Sequence, residues 1–160
     1  MRRVVAVLLT FAAVLAFAAP SVGGAQIQSP AANQAKSCTR PSGVQNLVWS
    51  SSKYPRIRAH ALDAIRKGWP SVLVLNRTGA SGRRTRLLAG IPTRRGYDRD
   101  EYPPAVGRGV GFHLQSGSGP TGWRADVRYV PSRENRSHGS SMGGKLRKFC
   151  NGTKFRYVFR

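Results

Sequence analysis

Negative charge is what this sequence lacks most: six Asp and Glu stand against 27 Lys and Arg, a formal net charge of +21 over 160 residues. Such one-sidedness excludes a soluble exterior of the usual mixed charge. It points to a polyanionic partner: nucleic acid, anionic lipid or cell-wall polymer. Cysteine is nearly absent as well. Cys38 and Cys150 are the only two, and with no matching histidine pattern they make a poor zinc site. In an oxidising compartment an isolated pair forms one disulfide. Beyond the N-terminus no segment is apolar enough to span a bilayer, which excludes stable insertion of the remainder. No internal repeat is present.

The N-terminus is the exception to the shortage of apolar runs. Arg2 and Arg3 precede VVAVLLTFAAVLAFAA, and the small-residue stretch SVGGA follows, with cleavage expected after Ala25. This is the anatomy of a secretory signal peptide over residues 1–25. Its apolar core is shorter than the ~20 residues a spanning helix needs, so the protein is expected to be secreted and extracellular. Residues 26–46 are polar and small and read as a flexible N-terminal arm. That leaves 47–160 as one domain, long enough to bury a core.

Within the domain, LVW from Leu47 reads as a short strand. Ile57, Ala61, Ala64 and Ile65 recur at helical spacing between Pro55 and Lys67, with Pro55 suited to the helix start and Gly68 to its C-terminal cap. SVLVLN (71–76) reads as a buried strand, RTGASGRR as a basic turn or loop, and RADVRYV (124–130) alternates as a strand. Met142, Leu146 and Phe149 support a helix over 137–149, although Gly143 and Gly144 weaken it. KFRYVF closes the domain as a strand. Gly107–Trp123 is rich in glycine and serine and reads as a connection. The class is α+β, a small sheet with helices.

Three of the six acids fall within four positions, Asp98, Asp100 and Glu101, in GYDRDEYPPA. A second group, SRENRSHGS (132–140), places Glu134 and Asn135 between a strand and a helix. Phosphodiester cleavage needs a base to activate water, a cation to offset phosphoryl charge, and positive side chains to hold the backbone. Carboxylate and amide oxygens suit hard cations such as Mg²⁺, and Arg99 and Arg136 sit beside them. Pairing of these acids with neighbouring arginines as surface salt bridges accounts for the pattern equally well. Of the histidines, His60 falls within the first helix, His113 reads as a solvated loop residue, and His138 stands three residues beyond Asn135. Trp49, Trp69 and Trp123 read mainly as packing residues.

GIPTRRGYDRDEYPPA and ADVRYVPSRENRSHGS, in that order, resemble the NucA/NucB family of secreted bacterial deoxyribonucleases from about Tyr54 to Phe159. The resemblance implies a compact ββα-metal-like nuclease core in which an acid of DRDE replaces the usual histidine base. It implies Asp100 as general base, with Glu101 as base or charge support. Asn135 and Glu134 would be metal ligands for Mg²⁺ or Mn²⁺, and Arg99 and Arg136 phosphate contacts. The implied function is a secreted, divalent-metal-dependent endonuclease hydrolysing DNA with little sequence preference, since backbone contacts carry no sequence information. RNA as a further substrate and a cognate inhibitor protein as a further partner stay open. So does a non-catalytic cationic binder of DNA or envelope polymers, which the charge alone predicts as well.

Overall fold

The computed structural model describes residues 37–108 and 123–160. Its first helix, α1 (Pro55–Arg66), is the one the apolar spacing predicts, burying Ile57, His60, Ala61 and Ala64. Proline opens it where the missing N–H costs nothing. Gly68, at φ +94°, lets the chain leave through the left-handed region that other residues adopt at a cost.

Before α1 comes β1 (Gln45–Trp49), and after it β2 (Leu73–Val74), α2 (Ala80–Leu88), β3 (Tyr97–Tyr102), a single 3-10 turn (Ala105–Gly107), β4 (Asp126–Pro131), α3 (Ser132–Leu146) and β5 (Lys154–Phe159). Among the described residues there are two sheets rather than one. β5 lies between β1, parallel to it, and β2, antiparallel to it. β3 and β4 form an antiparallel pair that leads directly into α3, so β3, β4 and α3 make a β–β–α unit. Leu47, Trp49, Ile57, Leu73, Leu75, Tyr102, Val130 and Phe155 share one core. It joins the three-stranded sheet to α1 and to the inner face of the β3–β4 ribbon. Gly107 packs so closely there that a Cβ would lie 3.0 Å from the Phe155 ring.

Three expectations are corrected. RTGASGRR (77–84), read as a basic turn or loop, runs from Ala80 onward into the helix α2. The helix's own apolar content is slight, with only Leu88 buried. Long-range bonds hold it instead, as Arg83 donates to the carbonyls of Asn76 (2.6 Å) and Ala105 (3.0 Å). α3 begins at Ser132, so Glu134 and Asn135 lie in its first turn rather than ahead of it. Part of the expected arm is tied down: Cys38 is bonded to Cys150, Thr39 bridges Phe149, and β1 begins at Gln45. The disulfide is the one the cysteine count predicts. The signal-peptide segment, most of the Gly107–Trp123 connection and His113 lie outside the described residues.

Candidate active site

Side chains alternate across a strand, and on β3 this divides the DRDE motif between two neighbourhoods. Asp98 and Asp100 face α1 and α3, whereas Arg99 and Glu101 face α2. Asp98 accepts hydrogen bonds from Ser132 Oγ (2.7 Å) and from Arg136 Nε and Nη2 (3.0 and 3.1 Å). The Arg136 bonds above all hold its carboxyl below the usual range, and Ser132 and Asn135 add to them. Asp100 Oδ2 lies 2.6 Å from Nδ1 of His60, and Nε2 of the same ring lies 2.9 Å from Asp126 Oδ1.

On the opposite face, Arg99 turns away from the acids. Its Nη1 donates to the carbonyl of Leu88 (3.3 Å), the last residue of α2, which has no partner within the helix, and to that of Ile91 (2.5 Å) just beyond it. Glu101 is buried between Arg84 of α2 and Arg108, paired with both. Burial pushes its carboxyl up, and Arg108 and then Arg84 pull it back.

α3 supplies the other wall. The first turn that carries Glu134 and Asn135 sends them in different directions. Glu134 accepts the backbone N–H groups of Arg56 (2.7 Å) and Ile57 (2.9 Å), closing the N-terminus of α1. Asn135 faces the acids, with Nδ2 3.5 Å from Asp98 Oδ2. One turn on, His138 is buried among the rings of Trp49, Tyr54 and Tyr157, at centroid distances of 4.6, 5.5 and 5.5 Å. Burial holds its imidazole down at about 4, and its Nε2 has no hydrogen-bond partner among the described residues.

These side chains surround a cavity of about 460 Å³. Asp98, Asp100, Glu101, Asn135, Arg136 and His138 line it, and Arg84 adds a second guanidinium. Of the residues nominated from sequence, Asp100, Glu101, Asn135 and Arg136 therefore meet, while Arg99 and Glu134 do not reach the cavity. Arg84 was missed because its segment read as a loop. Asp98 carried no assignment beyond the charge cluster. The indole of Trp49 is buried as expected, but Trp123 stacks instead under Arg86, whose guanidinium lies 4.5 Å from its ring centre.

A carboxylate that is not committed to arginine, an amide oxygen and two guanidinium groups in one cavity suit proton abstraction from water beside a bound anion. The oxygen donors also fit a hard divalent cation. Among the described residues no group of three or more His, Cys, Asp or Glu side chains is placed to hold a metal. Mg²⁺ and Mn²⁺ are suited to fewer protein oxygens, Mg²⁺ in particular keeping most of its waters.

No family model matches the chain. Over 116 residues it is 33% identical to the DNA-entry nuclease of Bacillus subtilis (strain 168), an alignment covering 72% of this chain and 71% of that protein. On that identity and extent, the chain belongs to the NucA/NucB family.

Proposed function

We propose that this protein is a secreted nuclease that hydrolyses DNA phosphodiester bonds with Mg²⁺ or Mn²⁺ and with little sequence preference. The observation that carries this is the convergence of Asp100 from β3 and Asn135 from α3 on one cavity flanked by Arg84 and Arg136. The similarity to a DNA-entry nuclease names the substrate class. The excess of basic side chains over acidic ones would gather the polyanion through backbone contacts that do not read bases.

Asn135, with Asp98 as the nearest carboxylate, would hold the cation. The cation supplies charge compensation to the phosphoryl and leaving oxygens. Asp100 takes the proton of the attacking water, which needs a carboxylate within hydrogen-bond reach of that water. Arg136 spends Nε and Nη2 on Asp98 and keeps further N–H groups for phosphate. Arg84 meets Glu101 through Nη1 and lies half-exposed at the rim, so it serves the same end. Glu101 balances the charge of Arg84 and Arg108 rather than acting as base.

The test is plasmid nicking by the purified protein with Mg²⁺ or Mn²⁺, with and without EDTA. Nicking that EDTA abolishes is expected. Cleavage insensitive to the chelator, or none with either metal, would sink the metal-nuclease reading. Binding without cleavage would leave a cationic DNA binder in its place.

A further inference from the structure

His60 has no part in the chemistry above, yet it is wholly buried and bonded to the residue at its centre. It lies on α1, behind β3, and does not line the cavity, so it cannot touch substrate. Its two ring nitrogens face two carboxylates from different strands, Asp100 on β3 and Asp126 on β4. In the β3–β4 register Asp100 lies opposite Arg128, and Asp126 lies opposite Tyr102. The two aspartates are therefore diagonal neighbours on one face, a separation of about 7–8 Å. An imidazole with a hydrogen bond at each end fits that gap. It also stands between two like charges that would otherwise repel across the ribbon.

The far end of this chain is itself anchored. Lys67 Nζ lies 3.5 Å from Asp126 Oδ2 and 3.1 Å from Asp63 Oδ2. Asp63 in turn is paired with Arg128 of β4 and, at 3.1 Å, with Arg66. An aspartate on a two-stranded ribbon has two torsions free to turn; here one oxygen of Asp100 is held from behind by a chain that ends in α1. A proton acceptor needs this restraint, because a displacement of about 1 Å can lower a rate by about a hundredfold.

We propose that His60, braced by Asp126, is a positioning residue that sets the rotamer of Asp100 from behind the cavity. The proposal rests on the nuclease reading for its catalytic consequence. It goes beyond that reading in assigning rate control to two residues outside the cavity wall.

Plasmid cleavage by the full-length wild type with Mg²⁺ or Mn²⁺ is compared with that by Asp126→Asn and His60→Gln. The expected result is a kcat about tenfold lower for Asp126→Asn and about a hundredfold lower for His60→Gln. KM for DNA should stay within twofold, and near-UV circular dichroism should be unchanged. A side chain that only supports the fold would lower the folded fraction and leave kcat per folded molecule as it was. A kcat within threefold of wild type in folded Asp126→Asn, or a change confined to KM, overturns the proposal. If His60→Gln does not fold, Asp126→Asn still decides, being an isosteric change at a side chain 19% exposed.

Absence of cleavage by the wild type would count against the nuclease reading alone. The clamp is then read by ¹⁵N-histidine NMR. Asp126→Asn should shift Nε2 of His60 and Asp100→Asn should shift Nδ1, and a ring that responds to neither overturns the clamp.

Discussion

Glu134 holds the start of α1 in place: its carboxylate accepts the Arg56 amide at 2.7 Å and, with the same oxygen, the Ile57 amide at 2.9 Å. The first N–H groups of a helix have no partner within it, and a carboxylate there also meets the positive end of the helix dipole. Tyr54, at the N-cap position, makes no side-chain cap of its own. Glu134 therefore docks the first turn of α3 against the first turn of α1.

This separates two adjacent motif residues by experiment. Glu134→Ala should lower stability by about 1–2 kcal/mol, the range for loss of a helix cap, while nicking per folded molecule stays within a few-fold of wild type. Asn135→Ala should do the reverse, losing activity with little change in the urea midpoint. Equal loss of activity in both variants would return Glu134 to the metal site.

The motifs showed which segments line the cavity but not which way each side chain points. Two acids one residue apart on a strand, Asp100 and Glu101, read alike in sequence, and only the pairing of β3 with β4 decides which faces His60 and which faces the arginines. The same holds for β4. Its alternation was legible, yet the polar members Asp126 and Arg128 are the ones turned toward α1, because His60, Asp63 and Lys67 wait there to pair with them. The disulfide and α1 were legible because each depends on local pattern or simple counting. α2 was not, since its hold on the fold comes from guanidinium groups reaching distant carbonyls.

Glu101 stands between two cations, one of them wholly buried. Removing one partner of a buried pair leaves the other charge uncompensated, at a cost of about 3–5 kcal/mol. Glu101→Gln should therefore lose that much stability, seen as a large fall in the thermal midpoint. Retained stability with abolished nicking would instead restore Glu101 as base.

His138 makes stability depend on pH. Its imidazole is held at about 4 by burial against an ordinary value of 6.5, so between those values the unfolded chain binds a proton that the folded chain does not. Stability is then full above pH 6.5 and falls as the pH drops toward 4, by at most about 3 kcal/mol. Denaturant titrations at pH 7.5, 5.5 and 4.5 should show wild type losing stability relative to His138→Phe on acidification. Parallel curves for the two proteins would mean that the ring takes up its proton in the folded state as readily as in the unfolded.

Among the described residues, Asp100 is the carboxylate of the motif that no arginine pairs with. Asp98 pairs with Arg136 and Glu101 with Arg84 and Arg108, which is why the proposed base is Asp100. Asparagine at this position keeps the shape of the side chain and a polar atom within reach of His60 Nδ1, so the core behind it should hold although the ionised partner is lost. Asp100→Asn should thus fold with a thermal midpoint within a few degrees of wild type and nick plasmid at least about a hundredfold more slowly, the usual contribution of a general base. Because the substitution keeps shape and removes basicity, its rate should not recover on raising the pH from 7 to 9. A folded variant that keeps a third or more of the wild-type rate would place the base on another residue.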